Sequence, residues 1–186
     1  MEGLRHHRLR TAAIALAALI VLIASAPRAS AQAPACGAAT QARATPSLNA
    51  DRAVLCLVNQ RRAALAIAPL RSNWRLTVGA RRHSRQMVAD RYFSHGGPGN
   101  SSVVTRVRHT GYLLGARAYM LGETIGFGEG ASSTPAALVA MLFASPPHRA
   151  ILLNPGYRDI GIGVWSGAPV AGPPGSTLTL DLAARH

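Results

Sequence analysis

The chain of 186 residues contains no lysine, only 7 acidic residues, 2 cysteines and 5% aromatic residues. Each shortage excludes something. Two cysteines leave room for a single disulfide, not a framework of several bridges. So few aromatic rings leave few platforms for base stacking, which argues against a nucleic-acid partner in spite of a formal net charge of +13. No internal repeat or heptad run occurs, so solenoids and coiled coils are set aside. The length is too short for two ordinary domains and sufficient for one with a sizeable core.

The first 31 residues are of a different character. A basic start, MEGLRHHRLR, is followed by the apolar run TAAIALAALIVLIASA and by Ala29-Ser30-Ala31, the small-residue pattern of a cleavage site. Residues 1–31 read as a secretory signal peptide. The rival reading, a retained anchor, has an apolar run of about 16 residues where a spanning helix wants about 20. Export places the rest of the chain where thiols oxidise, so Cys36 and Cys56 are expected to form a disulfide. Residues 32–48, rich in Ala, Pro and Thr, read as a linker tied by that disulfide, and 49–186 as the folded domain. In the exported part 16 arginines face 6 acids, a net +10. Such a surface favours anionic cell-wall polymers or lipid head groups, while exclusive use of arginine is also what a GC-rich genome produces. The exported part is read as a monomer without a transmembrane span.

Start and stop signals divide the domain. NADRAVLCLVNQRRAALAI predicts a first helix capped by Asn49 or Asp51, and SNWRLTVGARRHSRQMVADR a second capped by Ser72 or Asn73. SSVVTRVRHTG predicts a third, started by Ser101 or Ser102 and ended by Gly111. STPAALVAMLFA, with Thr134 before Pro135, predicts a fourth, and SPPHRAILL a short fifth beginning at Ser145. LGETIGF, DIGIGVW and STLTLDL alternate as strands do. Helices come early and strands mostly late, which predicts an α+β fold with an antiparallel sheet covered by helices.

Against this layout His95 falls in a glycine-bounded loop, Glu123 within a strand and His148 in the first turn of the fifth helix. A carboxylate inside an apolar strand is costly unless paired, so Glu123 needs partners, and two imidazoles would serve. No compact metal-ligand spacing links the three. His148, at a helix start, is expected to stay neutral in the positive field there. His83 lies on the apolar stripe of the second helix and reads as a core histidine. His109 reads as a partner of the C-terminal helix dipole. Ser94, beside His95, does not by adjacency make a triad.

LCLVNQRRAALAIAPL with Asn59 and Arg62, then YFSH, GETI and SPPHRAILLNPGYRDIGIGV, follow one another as in the CAP superfamily of cysteine-rich secretory, antigen 5 and pathogenesis-related proteins. The chain resembles its bacterial secreted branch over residues 49–182. The resemblance implies an α-β-α sandwich around a central antiparallel sheet, and a cleft holding His95, Glu123 and His148. In some relatives such a cleft takes up a divalent metal such as zinc, for which His95 and His148 would be the ligands here. Thr124, Pro147 and Leu142 depart from the residues usual in the family, and a second glutamate is missing near Ser145. Two functions stay open: a cleft binding a lipid, a cell-envelope component or a divalent metal outside the cell, or a metal-assisted extracellular peptidase or esterase with Glu123 as candidate catalytic base. Whether the chain is an enzyme is not decided at this level.

Overall fold

The computed structural model describes residues 35–186, so the segment read as a signal peptide lies outside the described residues. Five helices and four strands follow in the order α1 (Leu48–Ala63), β1 (Arg71–Ser72), α2 (Trp74–Ala89), α3 (Val103–His109), β2 (Tyr119–Glu129), α4 (Pro135–Ala144), α5 (Pro146–Leu152), β3 (Asp159–Ser166) and β4 (Gly175–Arg185). Among the described residues no helix is long and apolar enough to cross a membrane.

The sheet order is β1-β3-β4-β2. β4 runs antiparallel to β2 and to β3, while the two-residue edge strand β1 adds a short parallel pairing to β3. β4 is central and has a helical layer on each face, so its residues are buried on both sides up to the last. One face carries Ile160, Ile162, Leu178, Leu180 and Leu182 against Val54 and Val58 of α1, Leu138 and Leu142 of α4, and Leu152 of α5. The other lies under α2 and α3, where Leu76, Val107 and Tyr112 pack with Ala183. The architecture is therefore the α-β-α sandwich.

Local chemistry accounts for the element ends. Asn73 Oδ1 accepts from the N–H groups of Arg75 and Leu76, Ser102 Oγ from Thr105, and Thr134 Oγ1 from Ala137, each at the first turn of a helix. α1 is capped by Ser47, whose Oγ accepts from Ala50 N at 3.1 Å, rather than by Asn49 or Asp51. Asp51 instead sits in the first turn, where its charge suits the helix dipole, and bonds Arg81 of α2.

Two glycines set the sandwich's spacing. A Cβ on Gly161 would lie 2.2 Å from the Leu76 backbone, and one on Gly163 2.2 Å from that of Ala80. The DIGIGVW strand thus carries bare backbone wherever α2 crosses it. This close approach brings Ser84 Oγ to the Gly163 carbonyl at 2.7 Å and to Thr179 Oγ1 at 2.8 Å.

The residues that carry the motif likeness in α1 and after α5 are fasteners. Asn59 bonds both the N–H and the carbonyl of Leu70. Arg62, fully buried, donates to the carbonyls of Ala68, Leu152 and Asn154 and so ties α1 to the end of α5. The part of the 32–48 segment that is described is integrated into this body: Ala44 is buried, and its backbone bonds Ser133 and Ser176. Cys36 and Cys56 form the disulfide, closing a separation of 20 residues. Replacing both by serine is expected to lower the unfolding free energy by about 3 kcal/mol in the chain-entropy view. Urea unfolding of the two proteins checks this; a difference below about 1 kcal/mol would mean that the packing around Ala44 alone holds the segment.

Candidate functional site

β2 delivers Glu123 to the α2/α3 face, where only 3% of its side chain is exposed. His95 Nδ1 lies 2.8 Å from Glu123 Oε1. Arg106, from α3, donates through Nη2 to Oε2. Both carboxylate oxygens are therefore engaged. Burial by itself would raise the Glu123 pKa, but the His95 bond and the charges of Arg106 and His83 outweigh it and hold the group below the usual carboxylate range.

Arg106 also fixes the loop. Its Nη1 donates to the carbonyls of His95 and Ser101. His95 is thereby held at its backbone by Arg106 and at its ring by Glu123. With Nδ1–H donating to an ionised carboxylate, Nε2 of the neutral ring is left as an acceptor, and 58% of the side chain is exposed. The Glu123 bond raises the His95 pKa above that of a free imidazole, against the opposing effect of partial burial.

His83 is a core histidine, fully buried. Its Nε2 lies 3.0 Å from the Ser94 carbonyl, which only accepts, so the proton is on Nε2 and Nδ1 faces the Tyr92 hydroxyl at 3.5 Å. Burial lowers its pKa, partly offset by Glu123, whose Oε1 is 3.9 Å from Nε2. His109 ends α3 on the surface. Ser94 uses its carbonyl for His83 and its hydroxyl for the Gly96 N–H, so no nucleophile–base pair forms there.

His148 lies in the first turn of α5, half-buried, and makes no hydrogen bond or ion pair with the described residues. Burial lowers its pKa and the nearby charge of His95 lowers it further, which gives the neutral ring expected from sequence by a different route. Ser145 stands at the N-cap of α5 without a side-chain bond, since Pro146 and Pro147 remove the first N–H groups it could accept from.

Two site residues were not anticipated. Arg106 is one. Asp181 is the other: it pairs directly with Glu123 across β2 and β4, is fully buried, and neither of its oxygens finds a hydrogen-bond partner. Burial, with the Glu123 charge added, pushes its pKa well above the usual range. A raised acid pKa means that the folded state holds a proton the unfolded chain releases, so stability falls as pH rises above the ordinary aspartate value. Asp181→Asn is accordingly expected to be more stable than the parent at pH 7, with the gap closing toward pH ~4. Urea unfolding at the two pH values tests this, and a pH-independent gap would contradict it.

A groove of about 530 Å³ opens over the pair, with His95, Ser102, Val103, Leu121 and Glu123 in its wall. The donor set does not fit a resident zinc ion, which wants at least three protein ligands. Glu123 is committed on both oxygens, and no group of three His, Cys, Asp or Glu side chains among the described residues converges to hold a metal.

Residues 55–170 match the profile of CAP, the cysteine-rich secretory protein family. The chain belongs to this family. The chain is also similar to the Bacillus subtilis protein YkwD, 29% identical over 113 residues, a match covering 61% of this chain and 41% of YkwD. A Bacillus anthracis extracellular protein containing an SCP domain superposes with a TM-score of 0.55 at 23% identity, over 68% of this chain and 38% of that one. An outer surface protein of Borrelia burgdorferi reaches a TM-score of 0.62 at 13% identity, over 77% of this chain and 98% of that one. The CAP chain described here thus matches about two fifths of the two Bacillus proteins' own length.

Proposed function

We propose that this CAP domain works outside the cytoplasm, in the envelope or extracellular space, as a binding module whose His95 groove receives the polar end of a lipid or cell-wall component. The observation that carries this reading is the engagement of Glu123 on both oxygens, by His95 and by Arg106. The carboxylate is almost wholly buried and held at both oxygens by protein donors, so its effect is to orient one imidazole toward the groove rather than to activate water. Leu121 and Val103 offer apolar walls and His95 Nε2 supplies the polar contact, while His148 stands outside the wall but within reach of the His95 charge. Export is supported by the N-terminal sequence and by the extracellular and outer-surface descriptions of the relatives.

A second reading rests on the same His95–Glu123 pair. A carboxylate holding Nδ1–H with Nε2 free is the base-and-orienter half of an acyl-transfer site, which makes His95, not Glu123, the base in a hydrolase. One experiment separates the two. The protein is titrated with a fluorescent fatty acid, with phosphatidylglycerol vesicles and with soluble peptidoglycan fragments, and is assayed in parallel for ester and peptide turnover. Binding without turnover, weakened in His95→Ala and in His148→Ala, supports the binding module. Turnover abolished by His95→Ala supports the hydrolase. Binding equal in all three proteins, with no turnover that depends on His95, would remove the groove from both.

A further inference from the structure

A second groove, of about 570 Å³, runs between α2 and α3 on the other side of Arg106. It is separated from the His95 groove by the turn at residues 97–101, which is closed by Gly97 N–H on the Ser101 carbonyl and pinned by Arg106. Its wall presents Arg82, Gln86, Ser101, Thr105, Arg106 and His109, and no acidic residue. Arg82 is exposed and forms no ion pair with the described residues, and His109 is likewise exposed and unpartnered. Arg106 Nε–H, buried behind this wall, has no acceptor in the protein.

The floor is formed at Gly79, where a Cβ would have only ordinary contacts, at 3.5 Å from Asp181 Oδ2 and from Thr110 Cγ2. Two acids lie behind this lining: Glu123, already paired with Arg106, and Asp181 beneath Gly79. Asp181 is fully buried, and burial raises its pKa, which favours the uncharged form. The wall combines a free guanidinium, an imidazole, hydroxyls and an amide. This set suits a ligand that carries both an anionic group and hydroxyls.

We propose that the α2/α3 groove is a binding site for the anionic group of a hydroxylated ligand, a carboxylate or phosphate on a sugar or polyol, held chiefly by Arg82 with His109. The site is independent of the His95 groove and of whatever that groove binds. Carboxylate and phosphate share the chemistry, and the test distinguishes them.

The full chain is titrated calorimetrically with a glucuronate disaccharide, with glycerol phosphate and with a neutral disaccharide of equal size. Three proteins are compared: the parent, Arg82→Glu, and Arg108→Glu, which makes the same charge change on α3 outside the groove. Saturable binding of either anion is expected, lowered at least about tenfold in Arg82→Glu and less than about twofold in Arg108→Glu. Binding of glucuronate alone names a carboxylate source, and of glycerol phosphate alone a phosphate source. Three results overturn the proposal: no saturable binding of either anion, equal loss in the two charge variants, or equally tight binding of the neutral sugar. Both positions are exposed, so folding of the variants is not at issue, and circular dichroism verifies it.

Discussion

Arg106→Ala is expected to cost about 3–5 kcal/mol of stability, because it leaves the Glu123 charge buried with a single partner. The guanidinium is 5% exposed against a carboxylate that is 3% exposed, so the pair is little screened by solvent. It also releases the His95 and Ser101 carbonyls. Part of the loss should return in the double variant Arg106→Ala/Glu123→Gln, where no charge is left stranded, so the two substitutions are expected to be strongly non-additive. The acid dependence follows the same logic. Glu123 has its pKa depressed in the folded state, so its contribution is present above the ordinary glutamate value and is lost as pH falls through the folded one. Arg106→Ala should flatten that dependence. Urea unfolding at pH 7 and pH ~4 measures both effects. A loss below about 1 kcal/mol would mean that the pair is solvated in solution.

Gly163→Ala is expected to destabilise the protein by more than about 3 kcal/mol, at the upper end of what overpacking does, since the added methyl meets backbone rather than a side chain that turns aside. The Cβ would lie 2.2 Å from the Ala80 carbonyl carbon and 2.4 Å from Arg81 N, so α2 must lift from the sheet as a unit. Lifting breaks the Ser84–Gly163 and Ser84–Thr179 bonds and disturbs His83, the α2 residue next to Glu123. Gly79→Ala is the control on the same helix: its Cβ has 3.5 Å contacts, and alanine is favoured over glycine in a helix interior by about 1 kcal/mol. Thermal unfolding should therefore separate the two by several degrees in opposite directions from the parent. Equal behaviour would show that α2 has slack over the sheet.

The contrast between these glycines shows what was legible in the sequence. Caps at Asn73, Ser102 and Thr134 could be read because a side-chain acceptor ahead of an apolar period is a local signal. The three longer strands and the Cys36–Cys56 bridge were legible for similar reasons. The closeness of His95 to Glu123 came through resemblance, since 28 residues separate them and no periodicity joins them. Arg106 was hidden as one of two arginines on a short helix. The need was visible, partners for a carboxylate in an apolar strand, but imidazoles were expected to meet it and not a guanidinium. Asp181 was hidden because its meaning lies in register: only the pairing of β2 with β4 sets two carboxyl groups side by side. The role of Gly161 and Gly163 depends on where α2 crosses β3, which no single segment encodes.

Glu123 holds His95 as its Nδ1–H form with Nε2 turned to the groove, and both readings of the site depend on that. Nitrogen-15 NMR titration of the histidine rings, in the parent and in Glu123→Gln, measures this directly. The expected result is a neutral His95 protonated at Nδ1, titrating above the ordinary imidazole value, with that elevation lost in Glu123→Gln. A His95 ring protonated at Nε2, or one titrating alike in the two proteins, would contradict it.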